Sequence, residues 1–271
     1  QLGEPDYIVE LPEIHVEAEG PDTFPNLDAE LNLPEGTWLR AVEVRPGSRE
    51  VLHHLVSFVS TGSGVQTQIP DFLAVWAVGT PPQVYPDGMG RQLGAQARIR
   101  TNMHYHTNGT ATTDKTRFGL YFGEGELQKE VNGLFAGTLN FKIPAHTENY
   151  AITARTVIDD DIQLVSFFPH MHTRGKSMKY TATYPDGRSD VLLNVPSYDF
   201  NWQWFYYPDE PVILPAGTII DIDATYDNST NNPNNPDPTI DVTFGESTYS
   251  EMMFGAFEFV PVEGVEPKSA N

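Results

Sequence analysis

At 271 residues the chain has room, at roughly 100 to 200 residues per domain, for one large domain or two ordinary ones, with a sizeable core either way. Asp and Glu number 37 against 16 Lys and Arg, and the net charge of -21 argues against a nucleic-acid surface and against electrostatic docking on anionic membranes. Cysteine is absent, so disulfides, thiolate zinc sites, iron–sulfur clusters, thiol nucleophiles and attached c-type haem are ruled out within the chain; any metal must be held by His, Met, Asp or Glu.

No stretch approaches the roughly 18 to 20 consecutive apolar residues of a membrane span. The chain begins at Gln1 with neither a basic n-region nor an apolar h-region and reads as a processed or excised chain. Short β-branched and aromatic runs, broken by 22 Gly and 22 Pro, predict an all-β protein. In chain order the predicted strands are 37–46, 51–59, 97–106, 116–122, 134–142, 150–158, 162–172, 176–184, 189–194, 211–225, 239–244 and 252–261. Many short strands at near-regular spacing suggest sandwiches or barrels. Gly62-Ser63-Gly64 reads as a turn, and 68–76 as at most a short helical turn or two. The polar stretch 124–134 is the predicted domain break, giving units 1–130 and 131–271, each the size of one β-sandwich. Pro185-Asp186-Gly187 predicts a hairpin turn, and the Asn- and Pro-rich 228–238 an exposed, solvated connector.

Six of the eight histidines fall in three tight groups: His53-His54, His104-Tyr105-His106 and His170-Met171-His172. On a strand, residues i and i+2 share a face, so His170 and His172 can present two imidazoles to one ion while Met171 points away. The same spacing offers both His104 and His106. Neighbours on a regular strand point to opposite faces, so His53 and His54 can serve one site only through a bulge or a strand end; spacing alone leaves that open. Two histidines rarely complete a transition-metal site, so the groups must share ions. Near the C-terminus, Glu251-Met252-Met253-Phe254 offers a thioether, a soft donor suited to Cu(I), although a Met pair on a strand is ordinarily core packing. The isolated His15 and His146 are given no role.

The ordered set Val51-Leu52-His53-His54, Asn102-Met103-His104-Tyr105-His106, Pro169-His170-Met171-His172-Thr173-Arg174-Gly175-Lys176, Phe205-Tyr206-Tyr207-Pro208-Asp209-Glu210-Pro211-Val212 and Ser247-Thr248-Tyr249-Ser250-Glu251-Met252 resembles the copper type II, ascorbate-dependent monooxygenases, the family of peptidylglycine α-hydroxylating monooxygenase and dopamine β-monooxygenase, and especially bacterial members. The resemblance spans nearly the whole chain from about residue 40. It implies two antiparallel, jelly-roll-like β-sandwich domains side by side, each with one copper facing an open cleft. It also implies an electron-transferring copper on His53, His54 and His104, and an oxygen-activating copper on His170, His172 and Met252. By this resemblance the ligand is His104, and His106 becomes a neighbour that supports a ligand. The implied function is a secreted or periplasmic copper-dependent monooxygenase that hydroxylates a C–H bond of a small organic substrate with O2. Ascorbate, a c-type cytochrome or another one-electron donor would be the reductant.

Departures bear on the substrate. Where the peptide-hydroxylating branch has an Arg two residues before the first His of His-x-His, this chain has Phe168; two and four residues after the Met, where that branch has Asn and Tyr, it has Phe254 and Ala256. The peptide carboxylate clamp is therefore missing, and the aromatic segment Tyr198 to Tyr207 leans toward a neutral or apolar substrate. Two other readings remain: a copper-binding or electron-transfer module without oxygenase activity, and a zinc hydrolase with three imidazoles and a water.

Overall fold

A computed structural model describes residues 2–60, 71–245 and 247–262; the predicted turn at Gly62-Ser63-Gly64 lies outside them. The described chain is all-β, 51% strand with no helix, in multiple antiparallel sheets of the sandwich type. No helix among the described residues is long and apolar enough to cross a membrane. The chain divides into two compact units, Gln1–Asn132 and Gly133–Asn271.

The first unit holds β1 (Tyr7–Glu10), β2 (Ile14–Val16), β3 (Asn26–Glu30), β4 (Trp38–Arg45), β5 (Leu52–Ser60), β6 (Asp71–Ala77), β7 (Gln83–Val84), β8 (Met89–Gln92), β9 (Arg98–Tyr105), β10 (Thr112–Asp114), β11 (Arg117–Phe122) and β12 (Lys129–Glu130). One sheet runs β1-β11-β4-β8-β12 with β7 also on β4, the other β3-β9-β5-β6, and β10 pairs with β2. Leu39, Val42, Phe118 and Leu120 from the first sheet share one buried cluster with Leu55, Val59, Ile99 and Met103 from the second, as two sheets packed face to face require.

The second unit begins with β13 (Asn132–Gly137) and continues through β14 (Lys142–Ile143), β15 (Tyr150–Val157), β16 (Ile162–His170), β17 (Gly175–Thr183), β18 (Ser189–Val195), β19 (Val212–Leu214), β20 (Ile219–Tyr226), β21 (Val242–Thr243) and β22 (Phe254–Pro261). Its sheets run β13-β22-β16-β19 and β15-β20-β17-β18, with β14 on β21. Strict alternation places Ile220, Ile222, Ala224 and Tyr226 of β20 inside and Asp221 and Asp223 outside. There Arg155 and Lys179 meet the two carboxylates across the strands. The hairpin at Pro185-Asp186-Gly187 joins β17 to β18, with Gly187 at φ 87°, where a residue lacking Cβ is favoured.

Two readings of the sequence need correction and a third is refined. Within 68–76, residues 71 onward form β6 and not a helical turn. Leu73, Ala74, Val75 and Trp76 are all buried, so the run lacks the alternation that marks a half-exposed strand. The predicted strands 134–142 and 211–225 are each interrupted; in the second, Pro215-Ala216-Gly217 turns the chain, with Gly217 at φ 84°. The loop 228–238 is irregular and largely open to solvent, as expected, but it is anchored at its start, where Asn228 is fully buried and its Nδ2 donates to the carbonyls of Pro144 (3.0 Å) and Ile240 (2.9 Å).

Gly123 lies against the indole of Trp38, and a Cβ built there would fall 1.8 Å from the ring. Gly123→Ala is therefore expected to cost about 1–3 kcal/mol through forced repacking, read as a lower thermal midpoint by calorimetry.

Candidate metal centres

The first cluster is a product of strand register. β5 and β9 pair antiparallel, with His54 directly opposite His104; the pairing then jumps to Leu52 opposite Tyr105. His53 is the extra residue of a β-bulge, and the bulge turns it toward the same side as His54. The three rings meet at centroid separations of 5.3 Å (His53 and His54), 4.9 Å (His53 and His104) and 4.8 Å (His54 and His104). Their Nδ1 atoms face one another: 3.0 Å from His53 to His54 and 3.3 Å from His54 to His104. Two lone pairs aimed at each other at that distance repel, so either an Nδ1–H of one ring donates to the next or a cation lies between them. Donor nitrogens about 2.0–2.1 Å from one tetrahedral ion are themselves about 3.3 Å apart. The spacing fits an ion.

Asp22 completes this cluster from outside. Its carboxylate accepts from His104 Nε2 (2.7 Å) and from His106 Nδ1 (2.8 Å). The Nε2–H bond fixes the tautomer of His104 that keeps its lone pair on Nδ1, as carboxylates behind metal-bound histidines do. His106, two-thirds exposed, is directed to Asp22 and not into the triad. Phe24 stacks on His104 at 4.6 Å. Burial lowers the pKa of His104, against the pull of Asp22, so its ring is held neutral as a ligand must be. Burial works against the Asp22 carboxylate, but the hydrogen bonds from His104 and His106 outweigh it and hold Asp22 below its ordinary value.

In the second unit, His170 ends β16 and His172 follows two residues later, with ring centroids 5.3 Å apart and planes nearly perpendicular. Met171 between them is buried in the core. Here the Nδ1 atoms are engaged: His170 with Gln203 Oε1 at 3.0 Å, His172 with the Ser250 carbonyl at 3.1 Å. Both acceptors hold a proton on Nδ1 and so select the tautomer with its lone pair on Nε2. The first centre thus offers Nδ1 donors and the second Nε2 donors. Burial pushes His170 down to about 4, with the Gln203 bond opposing, so this imidazole stays neutral in mildly acid solution.

Glu251 ties the thioether segment to the histidines. It is fully buried; its Oε2 accepts the amides of His172 (2.8 Å) and Met252 (3.3 Å), and its Oε1 the amide of Arg174 (2.7 Å). One oxygen therefore gathers the backbones of two candidate ligands. Arg174, also fully buried, donates through Nε to Asn228 Oδ1 (2.9 Å) and through Nη1 to the Tyr249 carbonyl (3.0 Å). Burial raises the Glu251 carboxyl to about 7, with the backbone bonds and Arg174 opposing. Met253 is in the core, whereas Met252 is only half-buried and its carbonyl accepts from Tyr226 (2.8 Å).

No family model matches the chain, and no curated protein matches it. Among solved structures, one match is a protein of Parabacteroides distasonis described as a "putative secreted protein", at 8% identity over 97% of this chain and 92% of that one, with a TM-score of 0.22. A score that low establishes neither a common fold nor a common function.

Sequence reasoning did not reach Asp22, Gln203 or the roles of Glu251 and Asn228. Asp22 is 82 residues from His104, and Gln203 is 33 from His170. Nothing in their own neighbourhoods marks them, and only the closed fold brings them to the rings.

Two outcomes are expected. Asp22→Ala weakens metal binding at the first centre about 10- to 100-fold and leaves the second unchanged, measured by chelator competition. For Glu251, the raised pKa means that the folded chain binds more protons than the unfolded one between pH 4.5 and 7, so the stability this group contributes is lost as pH rises through that window. The thermal midpoint of the metal-free wild type should therefore gain on that of Glu251→Gln as pH falls from 7 to 4.5. His170 works the other way, costing stability as pH falls from 6.5 to 4, and it is common to both proteins.

Proposed function

We propose that the chain is a dicopper monooxygenase of the copper type II, ascorbate-dependent kind, secreted or periplasmic, that hydroxylates a C–H bond of a small organic molecule. The observation that carries the reading is the convergence of His53, His54 and His104 through Nδ1 atoms 3.0 and 3.3 Å apart, in a chain with a second, differently wired imidazole pair whose His172 backbone shares the Glu251 carboxylate with that of Met252. The donor sets suit copper: three imidazoles tolerate both oxidation states and serve a one-electron relay, whereas His170 and His172 with Met252 add a soft thioether that favours Cu(I). When bound, copper would supply single-electron transfer at the first centre and reaction with O2 at the second. The overall change balances as one oxygen atom entering the C–H bond and the other leaving as water, with two electrons from an external donor such as ascorbate or, one at a time, a c-type cytochrome, and two protons from the donor or from solvent.

The protein's own groups prepare both centres. Asp22 holds the proton on His104 Nε2, and Gln203 and the Ser250 carbonyl hold those on His170 and His172 Nδ1. In these three rings the ligand nitrogen is then unprotonated and fixed in direction before metal arrives, which lowers the reorganisation needed on binding. Glu251 holds Met252 and His172 to one oxygen, so the soft and hard donors of the second centre move together.

The test is copper stoichiometry joined to turnover. The reduced protein should hold two coppers per chain, His54→Ala one, and Met252→Ala should keep the first-centre copper while losing substrate-linked O2 uptake. A wild type holding one copper, or none, overturns the proposal. Two coppers with reversible redox but no O2 uptake, across electron donors and candidate substrates, would instead identify an electron-transfer module.

A further inference from the structure

We infer that the second centre takes an uncharged, ring-bearing hydrocarbon-like molecule, bound on a band of phenylalanine rings that runs beside His170. This deepens the monooxygenase reading by naming the substrate class of its second centre, and it rests on that reading only for the chemistry that follows binding.

The band lies on the face of the β13-β22-β16-β19 sheet that is turned away from the core. Leu134 and Ala136 of β13, Phe167 of β16 and Phe257 of β22 belong to the unit's core cluster; the alternate residues Phe135, Phe168, His170 and Phe254 therefore share the opposite face. An outward face of an antiparallel sheet is ordinarily polar. This one is mainly aromatic, its polar members Ser166 and Glu258 being buried and hydrogen-bonded to each other. His170 stands opposite Phe254 in the register and is stacked between Phe168 (6.1 Å, 13°) and Phe254 (6.4 Å, 18°). Phe254 in turn meets Phe135 at 5.2 Å and Phe244 at 6.1 Å, and Phe168 meets Phe205 at 5.0 Å. Phe168 is buried, while Phe135, Phe205, Phe244 and Phe254 each keep part of their surface open.

Charge decides the class. The segments that carry these rings, 132–137, 166–170, 203–207, 242–245 and 252–257, contain no Lys, Arg, Asp or Glu. A carboxylate placed there would lose its hydration without gaining a cationic partner, and an ammonium would find only Glu258, which is buried beyond Ala256 on this face and already accepts the Ser166 hydroxyl (2.7 Å); both are costly in a weakly polar setting. A neutral ring loses nothing on leaving water and gains edge-to-face or offset contacts with the phenyl groups, the geometry that the band's own rings already adopt. A ring seated against Phe254 and Phe168 lies alongside the imidazole that they flank.

The experiment uses three probes of one shape, ethylbenzene, benzoate and benzylammonium, with the full-length, metal-free protein, so that the outcome is independent of copper. Chemical shifts of isotope-labelled histidines report where each probe sits. Ethylbenzene should shift the His170 signal and leave His53 unmoved, and it should bind about tenfold or more tightly than either charged probe, the order expected for leaving a charge unpaired. Phe244→Leu and Phe135→Leu keep the apolar volume but remove the ring, and each should weaken ethylbenzene several-fold with an unchanged thermal midpoint. Equal or tighter binding of benzoate or benzylammonium overturns the inference, as does ethylbenzene binding that leaves His170 unshifted or is indifferent to both variants. Copper stoichiometry fails or succeeds separately, so loss of the metal reading and loss of this one are distinguishable.

Discussion

One extra residue in one strand pairing governs the first centre. With β5 and β9 in unbroken register, His53 and His54 would point to opposite faces of the sheet, and at most two imidazoles could meet. The bulge at His53 lets two neighbours turn to one side, opposite His104. The cost of the lost ladder hydrogen bond is borne by a sheet whose inner face holds Leu55, Val59, Ile99 and Met103 in the core, so β5 and β9 cannot slip to relieve it without exposing that face. Packing thus holds the three donors together before any ion is present.

The two centres differ in which nitrogen they offer, and the difference comes from hydrogen bonding rather than from residue type. Each uses histidine, yet Asp22 takes the Nε2 proton in one, while Gln203 and the Ser250 carbonyl engage Nδ1 in the other. A charged acceptor strengthens the basicity of the ring it supports more than a neutral amide does. His104, backed by a carboxylate, is accordingly the more electron-rich donor, and His170, backed by an amide within a buried aromatic setting, the less.

The second centre depends on a buried charged network. Glu251 and Arg174 are both fully buried, and burying ionisable groups seldom adds net stability, because desolvation offsets attraction. Their value is geometric. Glu251 gathers three amides from the segment after β16 and the segment before β22, while Arg174 is oriented by Asn228, which itself clasps two carbonyls. The Asn-rich loop that reads as a solvated connector is therefore part of the support for the segment that carries His172 and Met252. Replacing any one member leaves another buried polar group without its partner, which explains why so polar a constellation sits within an otherwise apolar sandwich.

The sequence by itself determined the strand-rich class, through short alternating runs such as Ile219–Tyr226, and singled out the histidine groups and Met252, because residue type and spacing are local properties. It excluded thiolate chemistry outright. It misread 71–76, where burial on both faces erases the alternation that distinguishes strand from helix. It left open whether His53 could join His54, since a bulge depends on the partner strand. Only the tertiary structure decided that question, as it decided the roles of Asp22, Gln203 and Asn228 and the aromatic outer face around His170. All of these follow from cross-strand register and long-range hydrogen bonds, which exist only once distant segments of the chain are packed together.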